Sequence, residues 1–301
     1  MKLRTLGLIA LACFSWACDK EEEDEPVKAY RFNKFITVDG VNRTYTVNLP
    51  PDYYENSSFA LVLGFHGGGG SSSQFESSSK LTEKANNAGF IVVYPNGSGT
   101  IQTWNAGQCC GYAINEGIDD VKFISQLIDQ LVIDYKIDPK RVYATGHSNG
   151  GMLCYRLACE LANKIAAIAP NGCTMVNTDC NPLRPVPILH MHSKLDEHVP
   201  YNGGYGNGVT GIYCEPVDSV LTGWSLKNGC TVSKQLTEST SLYSFYQWTG
   251  CNNSRIDYYL TEDGGHGWPG GLPGGPNSDI PSTAISANDL LWSFFQQYQL
   301  P

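Results

Sequence analysis

The chain has 301 residues, 42% of them hydrophobic and 16% charged, with a formal net charge of −9. Such a chain can bury a large core, which excludes disorder for most of it, and its acidity excludes nucleic acid as an expected partner. Eleven cysteines point to an oxidising compartment, where an exported chain converts thiols to disulfides.

Lys2 and Arg4 give a positive start, and Leu6 to Ala12 form an apolar stretch too short to span a bilayer. Small residues then lead to Cys18. Residues 1–18 therefore resemble a bacterial lipoprotein signal, with Cys18 as the lipidation site, although Trp16 departs from that pattern and Cys13 is a weaker competitor. Residues 19–26 read as an acidic linker, also compatible with a surface-export tag. Removing residues 1–18 takes away two bases and no acid, leaving −11, of which Asp19 to Glu25 carry −5. The folded part is thus only mildly acidic. The expected location is an outer-membrane or cell-surface lipoprotein, held to the membrane by its N-terminal lipid, or an extracellular protein if not lipidated.

From residue 27 to 301 one domain is expected. Residues 31–49 read as a hairpin turning at Asp39-Gly40. Phe59 to Phe65 is a nearly continuous apolar run, as a strand covered on both faces requires, and it ends in His66 and four glycines. A helix over about 74–88 stops at Gly89, and Phe90 to Tyr94 is the next buried strand. Ile118 to Val132 repeat at helical spacing, and Arg141 to Thr145 form another strand. The alternation continues with a helix over 150–163, strands over 165–169 and 186–192, and a helix from Val217 to Gly229. Ile256 to Leu260 form a last strand, and Leu290 to Phe295 a terminal helix. Strands alternating with helices predict a three-layer α/β sandwich around a mostly parallel sheet.

Gly146-His147-Ser148-Asn149-Gly150 follows a buried strand and precedes a helix. That context suits a tight turn holding a serine in strained dihedrals, with glycines where a Cβ would clash. Ser148 is then a candidate nucleophile, and it needs a base. His266, on the loop after the last strand, alone fits the order serine, acid, histidine. His147 lies inside the turn and is expected to face away from the exit of Ser148. The acid should follow a strand between the two, which selects Asp196 over Asp218, Asp257 and Asp263. The backbone N–H of Asn149, with that of Gly67 or Gly68, would supply an oxyanion hole. His190-x-His192 with Asp196 and His198 offers a rival zinc cluster, but alternating histidines on a strand more often pack as a satisfied pair. No metal and no organic cofactor is expected.

With these residues in place, the sequence resembles the secreted α/β-hydrolases of carbohydrate esterase family 1, which include feruloyl and acetylxylan esterases and relatives named polyhydroxybutyrate depolymerases. The resemblance rests on Trp104-Asn105, Cys109-Cys110-Gly111, Asp119-Asp120-Val121, Arg141 to Met152, Tyr155 to Cys159, Pro187 to Asp196, Val199-Pro200-Tyr201 and Gly264 to Gly270. It departs from the family at His192-Ser193-Lys194-Leu195-Asp196, where His-Gly-Thr is usual, and at the glycine loop, which lacks larger residues. The resemblance implies a serine ester hydrolase removing feruloyl or acetyl groups from plant cell-wall xylan. A polyester depolymerase is the alternative, and a non-catalytic glycan-binding protein on a hydrolase scaffold is the second. Plant cell-wall polysaccharide, or another ester substrate, is the expected partner, with no obligate protein partner evident.

If Cys18 is lipidated and Cys13 removed, nine cysteines remain, so at least one stays unpaired. Cys230 with Cys251 and Cys173 with Cys180 are the expected disulfides; Cys159 would meet Cys109 or Cys110. Among loop aromatics, Trp268, Trp104 and Tyr201 are candidates to line the substrate cleft.

Overall fold

The computed structural model describes residues 28–208 and 211–301. The expected signal, the lipidation site Cys18 and the acidic linker lie outside these. The described chain opens with the hairpin β1 (Arg31–Val38) and β2 (Val41–Asn48), turning through Asp39 and Gly40, both at positive φ. That conformation matches the twist of the flanking strands. Then come β3 (Phe59–Phe65), α1 (Ser72–Ser79), α2 (Leu81–Ala88) and β4 (Ile91–Pro95). One helix was expected over 74–88; there are two, because Lys80 adopts the left-handed region at φ 56° and breaks the ladder.

A short helix α3 (Gly111–Asn115), which has no periodic signal, precedes α4 (Asp120–Asp134). Asp119 caps α4 by accepting from the Lys122 N–H at 2.9 Å. Next are β5 (Ile137–His147), α5 (Asn149–Glu160), β6 (Ala167–Asn171) and β7 (Ile188–Ser193). A two-strand ribbon, β8 (Gly204–Tyr205) with β9 (Tyr213–Cys214), leads to α6 (Val217–Lys227). The chain closes with β10 (Val232–Ser239), β11 (Tyr243–Thr249), β12 (Ile256–Thr261) and α7 (Ala287–Phe295).

Ten strands form one sheet in the order β1-β2-β4-β3-β5-β6-β7-β12-β11-β10. From β4 to β12 every pair is parallel; β1, β2, β11 and β10 extend the two ends antiparallel. Strand β3 shows how both faces are covered. Phe59, Leu61, Leu63 and Phe65 join the core beneath α4, α5 and α6, while Ala60 and Val62 join the core beneath α1, α2 and α7. This is the three-layer sandwich that the alternation predicts. All parallel strands end on one edge, and the loops after β3, β5, β7 and β12 carry Gly67, Ser148, Asp196 and His266. Ligands of such sheets bind outside the carboxyl ends of the strands.

A buried ion pair ties the hairpin to the first residue of α4. Arg43 Nη2 lies 2.6 Å from Asp120 Oδ1, and the guanidinium covers the Phe123 ring at 4.1 Å. Asp120 Oδ2 also accepts from the Asn105 N–H at 2.7 Å.

The disulfides need correction. Cys230 is joined to Cys251, but Cys180 is joined to Cys159 rather than to Cys173, and Cys109 is joined to Cys110. Cys173 leaves β6 directly against the first turn of α5, where a Cβ on Gly151 would lie 2.7 Å from its Sγ. It stays a buried thiol, as do Cys154 and Cys214. Cys180 instead reaches the far end of α5, where Cys159 sits.

Candidate active site

Ser148 stands between the last residue of β5 and the first of α5, at φ 54° and ψ −124°. The turn is held by what is missing. A Cβ on Gly146 would lie 2.6 Å from the Gly150 carbonyl carbon, and one on Gly150 would strike the carbonyl oxygens of Phe65 and His66. The Ser148 N–H donates to the Asn171 carbonyl at 2.9 Å, fastening the turn to β6. The hydroxyl is left at the positive end of a 12-residue helix.

His266 and Asp196 meet at 2.7 Å, Nδ1 to Oδ2. Asp196 is buried, and its Oδ1 accepts the N–H groups of His198 at 2.9 Å and Val199 at 2.8 Å. Burial alone would raise the pKa of this carboxyl. Hydrogen bonds from His192 and His266 more than offset it, and the group is held well below the usual carboxylate range. The His266 loop is fixed from behind: its N–H donates to Asp279 Oδ2 at 2.7 Å, and the Gly267 carbonyl accepts from Asn171 Nδ2 at 2.9 Å. The competing acids are engaged elsewhere. Asp218 pairs with Lys234, Asp257 with Arg255, and Asp263 accepts from Ser282 and Thr283. Among the described residues Ser148 Oγ makes no hydrogen bond, and it lines the same cleft as His266. An apo hydroxyl commonly closes onto its base only with substrate present.

The glycine loop after β3 is oriented by His66. The Gly97 N–H donates to His66 Nε2 at 2.9 Å, so Nδ1 carries the proton and donates to the Gly67 carbonyl at 2.7 Å. Burial holds His66 down at about 4, hence neutral. The Gly70 N–H also donates to the Gly67 carbonyl, at 3.0 Å. In a trans peptide the N–H points opposite to the C=O, so the Gly68 N–H is turned away from His66. Neither it nor the Asn149 N–H has an acceptor among the described residues. Two such donors beside one serine can hold an oxyanion.

The cleft has a volume of about 350 Å³. Ser148 and the glycine loop line it, with Phe75 and Trp268 as aromatic neighbours and Gln74 and Asn277 as polar ones. Trp268 meets Phe75 edge-on at 5.2 Å and donates its indole N–H to Asn288 Oδ1 at 3.1 Å. Two expected lining residues do not reach the cleft. Trp104 is fully buried beneath the glycine loop, its indole N–H on the His66 carbonyl at 2.9 Å and its backbone clamped by Asn149. Tyr201 packs onto the core instead, drawn there by its carbonyl accepting from the Val217 N–H at 2.9 Å. His147 is a third correction. It does not face away but lines the cleft, its ring 4.4 Å from that of His266, because Asn171 Nδ2 donates to its Nδ1 at 2.8 Å. His198, on the other side, stacks on His266 at 4.9 Å. Gln74, Phe75 and Asn277 carried no sequence signal; Asp279 is found only through its contact with the His266 backbone.

The zinc alternative fails on geometry. His190 and His192 spend their ring nitrogens on the Tyr155 hydroxyl, on each other and on the Val199 carbonyl, and no group of three or more potential ligands among the described residues is arranged for a metal ion.

A family model described as Esterase PHB depolymerase matches residues 43–194, half of the chain. The chain belongs to that family. Feruloyl esterase B of Piromyces equi is 31% identical over 269 residues, covering 86% of this chain and 46% of that protein. A bifunctional acetylxylan esterase/xylanase of Neocallimastix patriciarum is 36% identical over 169 residues, 56% of this chain and 24% of its own length. The chain thus spans less than half the length of these two relatives. A probable feruloyl esterase C of Aspergillus niger is 27% identical and is covered to 83%. The structure of an acetyl xylan esterase from Aspergillus awamori superposes with a TM-score of 0.63 over 88% of this chain and 99% of that one. At 14% identity that likeness is one of fold, the α/β-hydrolase sandwich.

Proposed function

We propose that the protein is an exported serine carboxylic-ester hydrolase that removes feruloyl or acetyl groups from plant cell-wall xylan. The observation that carries this reading is the strained Ser148, set at the start of α5 in one cleft with the His266–Asp196 pair. Ser148 Oγ attacks the ester carbonyl while His266 Nε2 takes its proton. Asp196 holds the imidazole with its proton on Nδ1 and stabilises the imidazolium that forms. The oxyanion rests on the N–H groups of Gly68 and Asn149. His266 then protonates the leaving alkoxide, and water repeats the cycle on the acyl-enzyme. No cofactor enters these steps.

The acyl group would lie against Phe75 and Trp268, in a cleft large enough for an aromatic acid. Disulfides suit an exported chain; anchoring through lipid on Cys18 rests on the sequence alone. The family description favours one second reading, a polyester depolymerase. Assays on methyl ferulate, acetylated xylan and a polyhydroxybutyrate film separate the two. Turnover of either of the first two supports the xylan reading, and turnover of the film alone overturns it.

A further inference from the structure

His190 and His192 have no part in the reaction as drawn, yet both are buried on β7 and joined in a continuous hydrogen-bonded line. The Tyr155 hydroxyl lies 2.8 Å from His190 Nδ1, and His190 Nε2 lies 3.1 Å from His192 Nδ1. His192 Nε2 lies 2.8 Å from the Val199 carbonyl and 3.3 Å from Asp196 Oδ2. The last two atoms only accept, and this fixes every proton upstream. His192 carries its proton on Nε2, so its Nδ1 accepts from His190 Nε2–H. His190 Nδ1 in turn accepts from the Tyr155 hydroxyl. Both rings then carry their proton on Nε2. Burial holds His190 well below the ordinary histidine value and Tyr155 well above the ordinary phenol value.

We propose that Tyr155, His190 and His192 form a positioning chain that locks the Asp196 carboxylate toward His266. His192 acts twice at its end. It offers Nε2–H to the same carboxylate oxygen that accepts from His266. It also anchors the carbonyl of Val199, whose N–H binds the other oxygen. Without that donor the carboxylate is free to turn, and control of the His266 tautomer weakens. No member of the chain itself lines the cleft; Val199, which His192 anchors, does. The proposal rests on the roles given above to Ser148, His266 and Asp196.

Two substitutions at one position test it. In His192→Gln the amide N–H occupies the place of imidazole Nε2 and still reaches Val199 and Asp196. In His192→Asn the amide reaches only the place of Nδ1, toward His190. With p-nitrophenyl acetate, His192→Asn should lose at least about tenfold in kcat with KM within about twofold, whereas His192→Gln should stay within about threefold of the parent. The acid limb of the kcat/KM profile should move to lower pH in His192→Asn. A carboxylate free to turn away from His266 stabilises its imidazolium less. The other titratable groups facing the chain and its target are unchanged in both variants. They are Tyr258 against His190, His147, Cys173 and Cys214 around Asp196, and His198 and Asp279 around His266.

Nitrogen-resolved NMR of the unsubstituted protein gives a check that needs no variant. It should show His190 and His192 each with the proton on Nε2 and an accepting Nδ1 at about pH 8. Equal losses in the two variants, a parental rate and profile in His192→Asn, or an Nδ1–H tautomer at either ring would overturn the proposal. Undiminished turnover by Ser148→Ala would instead defeat the underlying mechanism, and so the two failures remain distinct.

Discussion

Replacing Asp196 by Asn removes a charge while nearly preserving shape. In the native site Oδ1 accepts the N–H groups of His198 and Val199 at 2.9 and 2.8 Å, while Oδ2 accepts from His266 at 2.7 Å and faces His192 at 3.3 Å. An amide has one acceptor oxygen. If it keeps the two backbone donors, its NH₂ turns to His266, which must then accept at Nδ1 and carry its proton on Nε2. That tautomer cannot take the proton of Ser148. The NH₂ also meets the Nε2–H of His192, donor against donor. The expected loss in kcat is about 10⁴-fold, or roughly 5.5 kcal/mol in the barrier. Stability at neutral pH should fall by less, about 1.5–3 kcal/mol for the charge-assisted bonds. The native carboxyl titrates below the ordinary range, so its contribution is present above that range and lost in acid; the gap between variant and parent should therefore close below about pH 4. Initial rates on p-nitrophenyl acetate, with urea midpoints measured in parallel, read both effects. A folded Asp196→Asn enzyme that keeps more than about a tenth of the parental kcat would refute the role given to Asp196.

Trp104→Phe, which keeps a ring but not the bond to the His66 carbonyl, should lower kcat several-fold with KM unchanged; a cleft-wall residue would raise KM instead. Gly150→Ala should destabilise the fold by about 3 kcal/mol or more, because its Cβ meets the Phe65 and His66 carbonyl oxygens; a parental urea midpoint would contradict the packing described. Arg43→Met, which leaves Asp120 buried without its partner, should cost about 3–5 kcal/mol, and Arg43→Met with Asp120→Leu together should cost less than that single change. His66 titrates at about 4 when folded against 6.5 as its ordinary value. The unfolded chain therefore binds the extra proton first, and stability should fall by roughly 3 kcal/mol as pH drops from about 6.5 to 4. Urea midpoints at several pH values, compared between the parent and His66→Asn, check that slope.

The parallel half of the sheet was legible because β3 and β4 are short apolar runs separated by helical repeats, and because glycines bracket Ser148. The order of serine, acid and histidine along the chain pointed to the residues that the fold brings together. What escaped lacks local periodicity. Strand β10 is exposed nearly throughout, and β11 carries aromatics on both faces, so neither alternates as a half-buried strand does. Trp104 was misread because an aromatic beside a cysteine-rich loop looks the same on a cleft wall or under it; only its burial against Phe65 and Asn149 decides. Cysteine spacing does not fix connectivity, and Cys180 pairs with Cys159, near the end of α5, while Cys173 stays a buried thiol. The direction of His147 depends on Asn171, a neighbour in the sheet but not in the chain.

The central claim is that Ser148 carries the acyl group. The most direct measurement is peptide mass mapping of enzyme quenched in acid during turnover of p-nitrophenyl acetate. One acetyl group on the peptide that contains Ser148, absent from Ser148→Ala, is the expected result. Parental turnover by Ser148→Ala, or acetyl found on another residue and not on Ser148, would contradict it.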